Sequence, residues 1–273
     1  MKKILFLAAL FCSAIAQAQN FEGIVKWSFS MEITDPATKA KMEEAQKKMK
    51  DPANQKKMKE MEAKMNDPEF KKMMDANPQM KAQMEAAMKM SQSGDMSAMM
   101  PKSMELHIKN MNTLSKMEGG VTDKMEILTL KDKNLSYRLD RASKTYSILP
   151  TSSSSPATEI ETKVTKTSET AKILNYTCTK YIIEYTTHGR KGQQILWATT
   201  EIKDFDMKNM ARQGGNGQHF YFDKVDGVPL KMEMTSPEGK MTMQVLEIKR
   251  QSLPASEFEL PADYKEVKSM YGK

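Results

Sequence analysis

Cysteine, glycine and proline are scarce in this sequence of 273 residues, with 2, 12 and 11 of each. Two Cys cannot make a disulfide-dense scaffold, and so little Gly and Pro excludes a collagen-like chain or disorder driven by those residues. No apolar run approaches the roughly 18 residues that a membrane-spanning helix needs, which excludes a polytopic membrane protein. Aromatic residues make up 7% and there are 3 His. What the chain has in excess is methionine, 27 residues in a sequence whose mean hydropathy is −0.62.

Lys2 and Lys3 precede an apolar stretch from Ile4 to Phe11, followed by the small-residue site Ala16-Gln17-Ala18. This is the pattern of a secretory signal peptide over residues 1–18, with cleavage near Ala18 and Gln19 as the new N-terminus. The expectation is an exported chain, periplasmic or secreted, with no transmembrane anchor in its mature part. Cys12 follows Phe11 inside the apolar stretch, not the small residue that a lipidation site needs. Its removal leaves Cys178 alone, without an internal disulfide. Cys178 sits in Tyr176-Thr177-Cys178-Thr179-Lys180-Tyr181-Ile182-Ile183, a β-branched and aromatic run that reads as a strand. That setting favours a buried, inert thiol over a reactive one.

Three segments differ in hydrophobic period. Residues 21 to 33 alternate, with Phe21, Gly23, Val25, Trp27, Phe29, Met31 and Ile33 on one side and Glu22, Lys26, Ser28, Ser30 and Glu32 among those opposite. This predicts a strand of roughly 43 Å with one apolar face, the pattern of an antiparallel sheet. Residues 36–100 then have almost no β-branched side chains and are rich in Ala, Lys, Glu, Gln and Met, all good helix formers. Met42 and Met49, Met58, Met61 and Met65, and Met80, Met84 and Met88 recur at helical spacing and form a stripe. Asp35-Pro36, Asp51-Pro52, Asp67-Pro68 and Asn77-Pro78 each join an N-cap residue to a first-turn Pro, which predicts three or four short helices in series. Ser91 to Pro101 ends them as a loop.

From Met104 the period returns to 2. Met104, Leu106 and Ile108; Leu135, Tyr137 and Leu139; Tyr181, Ile183 and Tyr185; and Val228, Leu230, Met232 and Met234 alternate in turn. Asp132-Lys133-Asn134, Asp140 to Lys144, His188 to Gly192, Asp226-Gly227 and Ser236 to Gly239 read as turns, with Asp226-Gly227 joining Phe220–Val225 to Val228–Met234 as a hairpin. Thr151 to Pro156 and Gln213 to Gly217 read as flexible links. The apolar set of the last strand changes parity between Met241, Met243, Val245 and Leu246, Ile248, which predicts a bulge. Seven to nine strands are expected after the helices. Together with the first strand they make one domain over residues 19–273 with a helical insertion at 36–100.

Catalytic signatures are lacking. The sequence holds no Gly-x-Ser-x-Gly elbow, no phosphate-cradling loop and no His-Glu-x-x-His. His107, His188 and His219 are not at zinc-ligand spacing, and His107 alternates with Glu105 and Lys109 on a solvent-type face. No cofactor or metal is assigned and a non-enzymatic role is expected. The +7 net charge comes from Lys and Arg interspersed with Asp and Glu, a solvated mixed surface that gives no reason to expect nucleic acid as a partner. Residues 37 to 100 hold 14 of the 27 Met. Their apolar face either packs as core, or forms an adaptable groove for lipid or peptide, or supplies soft thioethers to Cu(I).

The order of motifs resembles a known family. Phe21-Glu22-Gly23, Tyr137-Arg138-Leu139-Asp140, Ile173-Leu174-Asn175-Tyr176-Thr177-Cys178, Trp197, Val228-Pro229-Leu230 and Phe258-Glu259-Leu260-Pro261-Ala262-Asp263-Tyr264 are similar to the domain-of-unknown-function 4412 family (DUF4412), exported bacterial proteins with a fold like the lipoprotein carrier LolA. The likeness covers residues 21–33 and about 104–266. It implies an α+β fold, a curved antiparallel half-barrel whose concave apolar face is covered by helices. It implies no catalytic residues. If that face holds an acyl chain, Val25, Trp27, Phe29, Met31, Leu106, Tyr137 and Trp197 would line it, with Met58, Met61, Met65, Met80, Met84 and Met88 as the adaptable helix face. The expected function is a cell-envelope protein that binds a lipid, acyl chain or lipidated peptide. The alternatives are a protein-interaction module that takes an envelope protein on its Met-rich helices, and Cu(I) binding by those helices.

Overall fold

The computed structural model describes residues 20–65, 67–76, 84, 88, 100–149, 161–187, 190–205, 224–236 and 239–267. β1 (Gly23–Ile33) leads into three helices, α1 (Pro36–Lys50), α2 (Pro52–Met65) and α3 (Pro68–Ala76). A first meander follows, made of β2 (Ser103–Lys109), β3 (Asn112–Glu118), β4 (Glu126–Leu130), β5 (Leu135–Asp140) and β6 (Thr145–Leu149). A second comprises β7 (Glu161–Ile173), β8 (Tyr176–Thr187), β9 (Arg190–Thr199), β10 (Val228–Thr235) and β11 (Gly239–Arg250), and β12 (Lys265–Glu266) closes the chain order.

These strands form a single 12-stranded sheet in the order β12-β6-β5-β4-β3-β2-β1-β11-β10-β9-β8-β7. Every pairing is antiparallel except β12 with β6. Strand β1 lies between the two meanders, bonded to β2 on one side and β11 on the other. The sheet is open, and register shifts in the β1/β11, β9/β10 and β7/β8 pairs bend its strands into a curve. The shift in β11 sets Lys26 against Glu247 and Trp27 against Val245, leaving Leu246 as the extra, exposed residue. The parity change in the sequence marks this position.

The strand count exceeds the seven to nine expected after the helices, because two features give little apolar signal. The β2–β3 hairpin turns on Asn110 and Met111 with φ of 51° and 66°, so both residues adopt a left-handed conformation without a Gly to announce it. Strand β7 is polar, rich in Thr, Lys and Glu, and mostly exposed at the end of the sheet.

Phe220 to Asp223 of the hairpin expected at Asp226-Gly227 lie outside the described residues, and β10 is flanked by β9 and β11. Gly227 sits at φ 88°, where a Cβ would lie 2.1 Å from the Thr199 carbonyl oxygen at the end of β9. Ser236 and Gly239 do close a tight turn, their backbone groups exchanging bonds of 2.8 and 3.2 Å between β10 and β11. Residues 151–156 and 213–217, and His188 of the β8–β9 turn, lie outside the described residues.

Each helix begins at a Pro preceded by Asp. Asp35 accepts from the Thr38 N–H and hydroxyl, both at 2.6 Å, and these bonds hold its carboxyl below the usual range. Asp51 accepts from Ala53 N–H at 2.8 Å, and Asp67 from Glu69 and Phe70 N–H at 2.9 and 3.1 Å. The helices touch chiefly one another, α1 against α2 and α2 against α3. Met84 and Met88 are helical and half-buried; Asn77-Pro78, Met80 and most of the 91–101 loop lie outside the described residues.

The core divides between the two sheet faces. Val25, Trp27, Ile108, Leu230 and Val245 are buried in one cluster with Phe21 and Ile202. Ile24, next to Val25 and pointing the other way, packs on a second cluster containing Leu114, Leu128, Tyr137 and Leu139. That second cluster is sealed by the segment after β11, through Leu253, Phe258, Leu260 and Tyr264. A third cluster joins Tyr181, Ile183, Leu196 and Val225. Replacing Gly227 by Ala forces a Cβ into the Thr199 carbonyl at a positive φ, and is expected to cost more than about 1 kcal/mol of stability. A urea midpoint equal to that of the parent chain would contradict this.

Candidate functional site

The register of β1 and its neighbours gathers a second set of methionines, on the sheet itself. Trp27 opposes Met104, and Met104 opposes Met117. Phe29 opposes Met243, which opposes Met232; Met31 opposes Met241, which opposes Met234. Directly paired residues of an antiparallel sheet point to one face, so these side chains and Val25 share a surface. Val25 and Trp27 are buried, Phe29 and the other methionines half-buried, and Met31 is 45% exposed. The face thus grades from a sealed floor at Val25 to an open apolar rim at Met31. Unbranched thioether side chains can repack against apolar partners of varied shape. The chain leaves β1 at Ile33 for the helices from this same rim.

The residues expected to line a cavity separate into groups. Val25 and Trp27 belong to the buried cluster of this face, and Phe29, Leu106 and Trp197 pack against it. Met31 sits at its open rim. Tyr137 lies elsewhere: its register partners are Leu128 and Ile148, and Leu128 pairs with Leu114, in the cluster on the opposite face. The apolar alternation of β5 is real, but its buried side serves the other core. Trp27 and Trp197 each bury an indole Nε1 without a hydrogen-bond partner among the described residues, and Lys180 Nζ stands 5.8 Å from the Trp197 ring centroid. Of the helix stripe, the side chains of Met58, Met61 and Met65, and all of Met80, lie outside the described residues. A depression of about 680 Å³ opens between α2 and α3, lined by Ala63, Lys64, Asp67, Glu69, Phe70 and Met73. It is apart from the sheet face.

The opposite face near β2 is ionic and covered. Lys26 pairs with Glu105 at 3.1 Å, and this bond holds the Glu105 carboxyl below its usual range. Lys109 Nζ reaches Glu22 at 2.8 Å, and Glu22 also accepts from the Leu253 N–H at 2.7 Å, so its carboxyl is lowered too. His107 does face away from Met104 and Leu106, yet it is buried at 6% exposure. The segment after β11 crosses over it, and its Nδ1 donates to Glu257 at 2.6 Å. Its other nitrogen is buried without a hydrogen-bond partner among the described residues, 3.7 Å from Glu105. The expectation of a solvent-type face fails because strand alternation cannot show what later chain lies on top. Among the described residues, no three His, Cys, Asp or Glu side chains gather as a metal site.

Cys178 is fully buried, its thiol pushed up to about 11 by desolvation and by the charge of Glu201. No helix among the described residues is long and apolar enough to cross a membrane.

A family model described as "Domain of unknown function (DUF4412)" matches residues 85–264. The chain belongs to the DUF4412 family. The match leaves out β1 and α1–α3, although β1 is an inner strand of the sheet; the helices separate it in sequence from the rest. No curated protein matches this DUF4412 chain. Similar solved structures include the Mycobacterium tuberculosis lipoprotein LppX, at 7% identity and a TM-score of 0.33, covering 58% of this chain and 82% of that one. LprF from Mycobacterium bovis is similar at 9% identity and a TM-score of 0.29, covering 59% and 83%. The methionines of the sheet were legible in this DUF4412 sequence only as alternation within separate strands; register is what gathers them.

Two measurements follow from this chemistry. Glu22 and Glu105 have folded pKa values below their unfolded ones, so their contribution to stability is complete above the ordinary carboxylate range near 4.5 and is lost as pH falls through the lowered values. The urea midpoint should drop on acidification below about pH 4.5, and less steeply in a Glu22→Gln, Glu105→Gln variant; equal slopes would refute the assignment. The Cys178 thiol should resist maleimide at pH 8 in the folded chain and react fully in denaturant, and rapid labelling of the folded form would show the burial to be wrong.

Proposed function

We propose that this protein is an exported, non-enzymatic binder of an apolar ligand, a lipid, acyl chain or lipidated peptide, held on the methionine-lined face of the sheet. One observation carries the reading: Phe29, Met31, Met232, Met234, Met241 and Met243 share a face in continuous register and remain partly open. Apolar area left accessible next to a buried floor is stabilised by any partner that removes it from water, at roughly 25 cal/mol per Å². Flexible Met side chains accommodate chains of different length and branching. The signal-type sequence at residues 1–18 supports export to the periplasm or beyond the cell.

The depression between α2 and α3 favours a second reading, a protein-interaction module. There Met73 is 47% exposed beside half-buried Phe70, so the helices offer an apolar contact of their own. The two readings separate experimentally. Delipidated protein is expected to bind a fluorescent fatty acid saturably, and Met243→Lys to weaken that binding at least tenfold. Leu246→Lys, on the exposed bulge, should leave it unchanged. Absence of saturable binding, or equal effects of the two substitutions, would sink the sheet-face reading; a Met73→Lys chain that loses an envelope partner but keeps the fatty acid would establish the second.

A further inference from the structure

The apolar face does not end at β2. Register continues it without a shift from Val25 through Leu106, Ser115 and Ile127 to Arg138 and Ser147. Its character changes along that row. On β1 and β2 it is Val, Trp, Leu, Met and Ile; on β3 to β6 it becomes hydroxyl-rich, with Ser115, Thr129, Ser136 and Ser147 around Ile127 and Arg138.

Arg138 is singular on this surface. Among the paired residues of β1 to β6 on this face, it and Asp140 are the charged ones. Asp140 is engaged in its own turn, accepting from the Ala142 and Ser143 N–H groups at 2.9 and 3.1 Å. Arg138 is half-buried and has no hydrogen-bond or ion-pair partner among the described residues. Arg141, in the turn after β5, is committed to Glu126 at 2.7 Å, and Arg250 of β11 to Asp204. A half-buried guanidinium without an anion is costly, and its planar fork matches the oxygens of a carboxylate or phosphate.

We infer that the ligand is an amphiphile with an anionic oxygen-bearing head, which Arg138 receives while the acyl chain crosses Ile127 and Leu106 toward Trp27 and Phe29. The inference rests on the sheet-face reading above and deepens it. Four strand spacings separate Arg138 from Val25, about 19 Å, so a head on β5 and a tail on β1 require a long chain lying across the strands. Of the hydroxyls around Arg138, Ser115 donates to the Ile127 carbonyl at 3.4 Å, while Thr129 and Ser136 bond each other at 2.9 Å, a pair in which one O–H stays available to a polar head.

The test compares three probes with one tail: palmitate, palmitoyl lysophosphatidic acid and neutral monopalmitoyl glycerol, each titrated into delipidated full-length protein. At least one anionic probe should bind about tenfold more tightly than the neutral one, as expected for a charge-assisted hydrogen bond. Preference for palmitate identifies a carboxylate head, and preference for the lysophosphatidate a phosphate. Arg138→Gln should abolish the preference, bringing the anionic affinities down to that of the neutral probe, with Arg138→Lys keeping part of it. Equal affinities in the parent chain, or a preference that survives Arg138→Gln, would overturn the head-group assignment while leaving apolar binding intact. Binding of none of the probes would overturn the sheet-face reading and this inference with it. The comparison within the parent chain decides the matter even where a substitution impairs folding.

Discussion

The double pairing of β1 is the constraint on which the remaining architecture depends. Each meander satisfies its own inner strands, but β2 and β11 would each expose a row of backbone donors and acceptors without β1 between them. The same strand divides its side chains between two cores, Ile24 below and Val25 and Trp27 above. A sheet this wide cannot be covered by one layer on one face, so its core changes sides near β2. The bulge at Leu246 accommodates the change by bending β11 where Lys26 gives way to Trp27.

The two faces near β1 and β2 consequently differ in chemistry. One carries Lys26, Glu105, His107 and Lys109, neutralised in pairs and roofed by the segment after β11. Those contacts tie the segment after β11 down over this face. The other carries thioethers, Trp27 and Phe29, then hydroxyls and a lone guanidinium. The chain covers the ionic face with its own later segment and leaves the methionine face partly open.

Much of this was legible in the sequence. Helix starts could be read at each Asp-Pro pair because capping and the fixed φ of Pro are local effects. The bulge could be read from one parity change, and burial of Cys178 from its β-branched neighbours. What could not be read was non-local. Tyr137 and Val25 both alternate as buried strand residues, and only the pairing of intervening strands shows that they face apart. His107 looked solvated because its cover, Glu257 and Phe258, arrives 150 residues later in the chain. The methionine excess drew attention to the helices, where spacing is visible within one element. Met104, Met117, Met232 and Met243 come from four strands and meet only through register. At Asp226-Gly227 the turn chemistry reads correctly, with Gly227 at φ 88°, but that β10 lies between β9 and β11 is again a matter of pairing.

The position of β1 also dictates an order of events. Gly23 pairs with Arg250, so β1 finds its β11 partner only across all the strands from β2 to β10. Each meander can zip from local hairpins in the meantime, whereas β1 must wait with its backbone unbonded along one edge. Such long-range closure is the slow part of assembling a sheet. Until that pairing forms, β11 presents an unpaired edge, and a second chain's β1 would match it as well as the first.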